Sequence, residues 1–233
     1  MNIDVISGFP QILQGPLNQS MIKVGRRNGV VQIRIHDLRD FTTDRHKTID
    51  DYPYGGGPGM VLKIEPVVKA LDALFESGDA KKAKIIMPTP RGFPLTQDLI
   101  TRLSLQDHLV FVCGHYKGID ERVHAFYDIE EISIGDYILS SGEIAALVII
   151  DAVIRLLPGV LKDIDSAWTD SFSDHLLDVP YYTRPEDFRG VRVPEVLLTG
   201  NHAAIARWRQ EQRETITRAR RPDLYKKYQN NIK

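Results

Sequence analysis

The stretch "LVFVCGHYKGIDERVHAFY", residues 109–127, decides the fold class. Its opening run, Leu109 to Cys113, is apolar without a break and rich in strand formers. Such a run reads as a strand covered on both faces, which is the habit of a parallel sheet. It stops at Gly114, passes through a polar loop containing Gly118, and enters the helix-like pattern "IDERVHAFY" (119–127). A strand, a glycine loop and a helical pattern in direct succession make half of a βαβ unit.

The same alternation extends in both directions. "IDVIS" (3–7), "VVQIRI" (30–35), "AKIIMP" (83–88) and "IEEISIG" (129–135) read as strands. "IEPVVKALDALF" (64–75) sets Val67, Ala70, Leu71 and Leu74 on one helical face. "LTQDLITRLS" (95–104) reads as a second helix. "GEIAALVIIDAVIRLL" (142–157) is a buried one, closed by Pro158 and Gly159. The pattern then changes. Residues 161–174 are polar and rich in Ser and Asp, and read as a flexible linker. Residues 175–233 turn helical and basic. The expected organisation is an α/β domain over 1–160, the linker, and a small, mainly helical domain over 175–233.

With 233 residues and 42% apolar content the chain can bury a substantial core. Cys113 is its one cysteine, which excludes an internal disulfide and a cysteine zinc cluster, and its apolar setting marks it as an inert thiol. No apolar run approaches the ~20 residues that span a bilayer. The start, "MNIDVISGFP", lacks the basic flank and apolar stretch of a signal peptide. The expectation is a cytoplasmic protein without a membrane partner. The net charge of −1 conceals an asymmetry, because residues 201–233 hold nine Lys or Arg against three Asp or Glu. A basic tail on an acidic body points to a polyanionic partner.

Ligands of open parallel sheets bind at the carboxyl ends of the strands. Three such ends carry unusual loops here: "TPRG" after 83–88, "GHYKGIDER" after 109–113 and "GDYILSSGE" after 129–134. A parallel sheet puts all three on one rim. The glycine run "YGGGPGM" (54–60) is no phosphate cradle, since Met60 stands where G-x-G-x-x-G needs its last glycine. A P-loop, H-E-x-x-H and G-x-S-x-G are all missing from the sequence.

Together, "DRHKTIDDYPYGGGPGM", "GHYKGIDER", "SIGDYILSSGE", "RLLPGVL", "DSF" and "LTGNHAAIARWR" resemble one family, the bacterial tRNA (guanine-N1)-methyltransferases of the TrmD type. The resemblance runs from the first strand to about residue 222. It implies the SPOUT class: an α/β parallel sheet with a C-terminal trefoil knot, plus the small helical domain. It implies methyl transfer from S-adenosylmethionine to N1 of guanine 37 of tRNA, beside the anticodon, by a homodimer whose active sites draw on both subunits. The partners so implied are tRNA and a second copy of the chain, and not DNA.

By motif, the resemblance places the cofactor on Pro88, Thr89 and Pro90; on Gly114, Tyr116 and Lys117; and on Ile134, Gly135, Asp136, Tyr137, Ile138, Leu139, Ser141 and Gly142. It assigns the general base to Asp170 and a cation near guanine O6 to Arg155. On the tRNA side it points to His46, Asp50, Pro58, Gly59, Met60, Asn201, His202, Arg207 and Arg209. The chemistry is coherent. N1 of guanine carries a proton at neutral pH, and its removal spreads negative charge onto O6, so a base and a cation are the useful groups. Two positions depart from the family pattern. Ser141 replaces a glycine of "SGGE", and Lys117 stands where many members carry glutamate. The family requires Mg2+, but a lysine is no cation ligand, and the sequence names no site for the ion. Two readings stay open beside this one: another knotted RNA methyltransferase, acting on a different base or a ribose, and an RNA-binding module with a degenerate pocket.

Overall fold

The computed structural model describes residues 1–78, 80, 82–161 and 170–231. The chain divides into two compact units, Met1–Lys162 and Asp163–Lys233. Of the expected linker, residues 162–169 lie outside the described residues.

The first unit runs β1 (Asn2–Ser7), α1 (Gln11–Gln14), α2 (Ser20–Arg27), β2 (Gln32–Asp37), β3 (Asp50–Asp51), β4 (Val61–Leu62), α3 (Ile64–Glu76), β5 (Lys84–Pro94), α4 (Gln97–Ser104), β6 (His108–Val112), β7 (Ile129–Ser133) and α5 (Gly142–Ile154). Five strands form one sheet in the order β2-β1-β6-β5-β7, and every pairing in it is parallel. All carboxyl ends therefore share one rim. Every residue of β6 is buried, as an unbroken apolar run requires. Leu109 and Phe111 join one core with Leu13, Ile22, Leu99, Leu103 and Ile149 from α1, α2, α4 and α5. Val110 and Val112 join the other with Val67, Leu71 and Leu74 from α3. Helix α5 is apolar on nearly every side and buries Ala146, Ile149, Ile150 and Val153 against the sheet.

Two local readings differ from the structure. Residues 119–127 do not make a full helix. Only Glu121–Ala125 turn, as a tight 3-10 segment opened by Asp120, whose carboxylate accepts from Arg122 N. The stretch "TPRG" does not end its strand either. β5 pairs with β7 up to Pro88 opposite Ile132, leaves the ladder, and rejoins it with Phe93 opposite the same Ile132. Thr89 to Gly92 form the bulge between. A Cβ on Gly92 would stand 2.3 Å from Ile132 N and 2.4 Å from Glu131 C, so only glycine can close it.

One buried charge ties the edge of the sheet together. Asp4 on β1 is fully buried, and both its oxygens are saturated. Arg34 donates to it from Nε at 2.8 Å and from Nη2 at 2.9 Å, while His36 Nε2 and His108 Nε2 each lie at 2.6 Å. Burial alone would raise the Asp4 pKa, but the bonds from His36, Arg34 and His108 outweigh it and hold the carboxyl well below the usual range.

The second unit holds a hairpin of β8 (Asp187–Phe188) and β9 (Val191–Arg192), followed by α6 (His202–Arg220) and α7 (Pro222–Asn231). Asn201 caps α6 by accepting from Ala204 N at 3.1 Å. Arg213 on α6 binds Asp174 through both guanidinium ends, and Thr217 Oγ1 accepts from Leu177 N at 2.8 Å. These contacts hold the entering chain against the helix.

Asp4→Asn leaves two imidazoles and a guanidinium around a neutral amide and is expected to cost about 3 kcal/mol, read from urea unfolding. Because the folded pKa of Asp4 is depressed, its stabilisation is complete above the unfolded value of 3.8 and is lost as pH falls through the folded one. The wild-type unfolding midpoint should therefore fall below pH 4, and the Asn variant should lose part of that acid slope. Gly92→Ala should lower stability by about 1–3 kcal/mol through backbone overlap, which thermal unfolding would register.

Candidate active site

A cavity of about 460 Å3 opens on the carboxyl rim of the sheet. Its three walls come from the bulge of β5, the loop after β6, and the loop from β7 into α5. The bulge contributes Pro88, Thr89, Pro90 and Arg91. The second wall contributes Gly114 through Ile119. The third contributes Ile134, Gly135 and Tyr137 through Gly142. The expected cofactor residues thus meet in one place, except that Asp136 stands outside the lining.

Backbone contacts set this geometry. Gly142 N donates to Gly114 O at 2.8 Å, and a Cβ on Gly142 would lie 2.8 Å from Gly114 N. The start of α5 is thereby pressed against the end of β6. Ser141 caps α5 with extended backbone (φ −154°, ψ 150°), a conformation that accepts a side chain. Its Oγ, Nδ1 of His115 and Oε2 of Glu143 are buried near the wall without a protein partner. Beneath them Ser7 donates to Glu143 Oε1 at 2.6 Å and accepts from Phe9 N at 2.9 Å. Phe9 packs on His115 with ring centroids 4.2 Å apart, and His115 meets Tyr116 edge-on at 4.4 Å. Cys113 is fully buried, and burial together with the Glu143 carboxylate pushes its thiol pKa well up, which rules it out as a nucleophile.

The glycine run lies beside this cavity. It forms the loop of the β3–β4 hairpin, with Gly55, Gly56, Gly57 and Gly59 all at positive φ. Lys117 N donates to Met60 O at 3.0 Å, and Leu62 N donates to Gly118 O at 3.0 Å. The stem of Lys117 packs so closely on Gly59 that a Cβ there would lie 3.0 Å from Lys117 Cγ. Burial and the nearby Asp50 carboxylate raise the Tyr116 phenol pKa, so Asp50 lies near the second wall. His46 is exposed in a turn held by Asp44, and Pro58 is exposed in the glycine loop.

The other expected residues lie elsewhere in the chain. Arg155 is half-buried at the C-cap of α5. Asp170 is half-buried in the second unit, its carbonyl accepting from Ser173 Oγ at 3.1 Å. Asn201, His202, Arg207 and Arg209 are exposed at the start of α6. Sequence reasoning missed Arg91, Glu121 and Ser140 in the lining, and the buried Ser7–Glu143 pair. Arg91 was legible in "TPRG", but only the bulge turns that segment into a wall.

Among the described residues, no three or more His, Cys, Asp or Glu side chains come together to hold a metal ion. No helix among them is long and apolar enough to cross a membrane.

Residues 1–227 match the family described as tRNA (Guanine-1)-methyltransferase TrmD. A tRNA (guanine-N(1)-)-methyltransferase of Carboxydothermus hydrogenoformans is 54% identical over 226 residues, 97% of this chain and 88% of its own length. Proteins of the same name from Geobacter sulfurreducens and Listeria welshimeri are 48% and 47% identical, across 97% and 98% of this chain and 92% and 93% of theirs. A match of this length and identity, on a chain whose three rim loops close one cavity, makes this protein a member of the TrmD family of tRNA (guanine-1)-methyltransferases.

Proposed function

We propose that the protein methylates N1 of guanine 37 in tRNA, beside the anticodon, with S-adenosylmethionine as donor. The rim cavity carries this reading. It is largely neutral, rich in backbone N–H and C=O groups, and of a size that suits a nucleoside. Backbone edges of this kind pair with adenine without charge, and Ser141 and His115 add buried polar atoms nearby. The donor, when bound, supplies a sulfonium methyl for direct displacement by N1, so no covalent enzyme intermediate is needed.

The chain's own residues prepare the acceptor. Asp170 removes the N1 proton, and Arg155 meets the charge that develops on O6 with fixed N–H donors. The hairpin loop with Asp50, Pro58, Gly59 and Met60 lies against the cavity wall and admits the base. His46 adds a polar contact. Arg207 and Arg209, with Asn201 and His202 at the head of α6, grip the RNA backbone, which makes binding salt-dependent. Ordering of the chain around Asp170 when tRNA binds brings the base into place; most of the expected linker 161–174 lies outside the described residues. Mg2+ is a possible further cofactor whose site is unassigned, since among the described residues no group of three or more His, Cys, Asp or Glu side chains marks one.

The geometry of α5 favours an active site shared by two copies. Its Gly142 end lines the cavity, whereas Arg155 follows Ile154 at the other end, about 20 Å along the axis at 1.5 Å per residue. An Arg155 that serves the base beside this cavity must come from a partner. Ile144 and Val148, one turn apart on α5, are 44% and 45% exposed and supply an apolar face for that partner. The fold we infer adds the SPOUT trefoil knot in the C-terminal part of the first unit, and the setting is the cytoplasm.

Three measurements test this reading. Labelled methyl should pass to tRNA transcripts with guanine at position 37 and not to those without it, and nucleoside analysis should return 1-methylguanosine. A 2′-O-methyl product would move the protein to another RNA methyltransferase class. Asp170→Asn should lower transfer by about 10²–10⁴-fold and leave donor binding by calorimetry intact; near-normal transfer would remove Asp170 as the base. Ile144→Glu combined with Val148→Glu should convert a dimer to a monomer in light scattering and abolish transfer.

A further inference from the structure

The glycine loop carries one side chain that the fold does not use. Tyr54 is 101% exposed, so its ring packs on no part of the protein. Exposure alone means little, since single apolar side chains on a surface are ordinary. What distinguishes Tyr54 is its support. Gly56 N donates to Pro53 O at 3.2 Å, which closes a turn with Tyr54 and Gly55 at its corners. Gly55 stands at φ +86°, as the third residue of a type II turn requires, and Pro53 stiffens the backbone before it. The feet of the loop are bonded to each other and to the cavity wall. Asp50 and Asp51 pair with Leu62 and Val61, and Lys63 N donates to Ile49 O at 2.8 Å. Toward the wall, Lys117 N donates to Met60 O, Leu62 N to Gly118 O and Asp120 N to Leu62 O, each at 3.0 Å. Tyr54 itself lies toward that wall. The Arg122 pKa is raised first by its Asp120 partner, at 2.9 and 2.6 Å, and further by the Tyr54 phenol and Glu65. Tyr54 is thus an open aromatic face on a fixed arm beside a nucleoside-sized cavity.

We propose that Tyr54 stacks on the nucleotide that adjoins the target guanine and so holds the target out of the anticodon-loop stack. The proposal rests on the methyltransferase reading above, because it needs an RNA base at the cavity. A base that leaves its stack uncovers a face of its neighbour, and that loss opposes extrusion. An aromatic ring laid on the vacated face offsets it. It does so whichever base stands there, because every base has a π-face. A tyrosine suits an exposed position of this kind, since its hydroxyl stays wet while its ring stacks. Ordering the ring costs little, because the turn and its tethered feet already fix the backbone that carries it. Tyr54 thereby favours an unpaired strand over a duplex, whose bases have no vacated face to cover.

Full-length tRNA carrying 2-aminopurine on the 5′ or the 3′ side of the target guanine tests the contact, because this base is quenched when it is stacked. On binding wild-type protein one of the two positions should stay quenched, and with Tyr54→Ala its emission should rise severalfold. Tyr54→Ala should also raise KM for tRNA about tenfold and leave the affinity for S-adenosylhomocysteine by calorimetry unchanged. Tyr54→Phe keeps the ring and should match wild type in both emission and KM. A Tyr54→Ala protein with wild-type KM and emission would overturn the proposal. So would weakened S-adenosylhomocysteine binding, which would assign Tyr54 to the shape of the cavity. A Tyr54→Phe protein as impaired as the Ala variant would overturn it too, by assigning the effect to the hydroxyl. Wild-type protein that fails to methylate tRNA with guanine at position 37 would instead remove the methyltransferase reading itself.

Discussion

The cavity exists because backbone touches backbone at two glycines. At Gly92 the chain comes back onto Glu131 and Ile132 closely enough to rejoin its own ladder. At Gly142 the first turn of α5 rests directly on Gly114. Neither contact tolerates a side-chain carbon, since the obstructing atoms are backbone and cannot turn aside. Together they fix two of the three walls to the sheet, and the third hangs on hydrogen bonds from the hairpin loop at Met60 and Leu62. The sheet therefore lends its rigidity to a surface made almost wholly of loop.

Polar groups are treated differently in the frame and in the site. Asp4 has contacts from three side chains on both oxygens, so its charge is fully compensated where water cannot reach. Near the cavity the balance is left open. Glu143 uses one oxygen for Ser7, while Ser141 and His115 hold buried polar atoms without protein partners. Saturation favours a single arrangement of strands. Unsatisfied capacity at a rim favours the arrival of something else.

The sheet was legible because apolar runs and helical spacing carry it: residues 109–113 announce a doubly covered strand, and Val67, Ala70, Leu71 and Leu74 mark the packed face of α3. The rim position of the cavity followed from parallel pairing. The bulge was not legible, because "TPRG" has the composition of a turn, and its return to the ladder depends on a contact with residues forty positions on. The short helix expected after Gly118 shrank to one 3-10 turn, since Asp120 caps it and the hairpin loop holds its start. Asp4, His36 and His108 lie far apart in sequence, so nothing local signals that they share one buried charge. The residues assigned to the base and to the O6 cation, Asp170 and Arg155, rest on motif resemblance, as neither sits in a pattern that propensity can distinguish from an ordinary turn or cap.

The strand order has a consequence for how the chain is made. β1 pairs on one side with β2, where Asn2 meets Gln32, and on the other with β6, where Asn2 meets His108. During synthesis the first partner emerges soon after β1, but the second follows only about seventy residues after β2. Until then β1 is an open edge, a state prone to mispairing with other chains. Non-local parallel ladders of this kind also close slowly, because loop entropy must be overcome before the contacts form. The sheet β2-β1-β6-β5-β7 is therefore complete only once its later strands, β5, β6 and β7, are present.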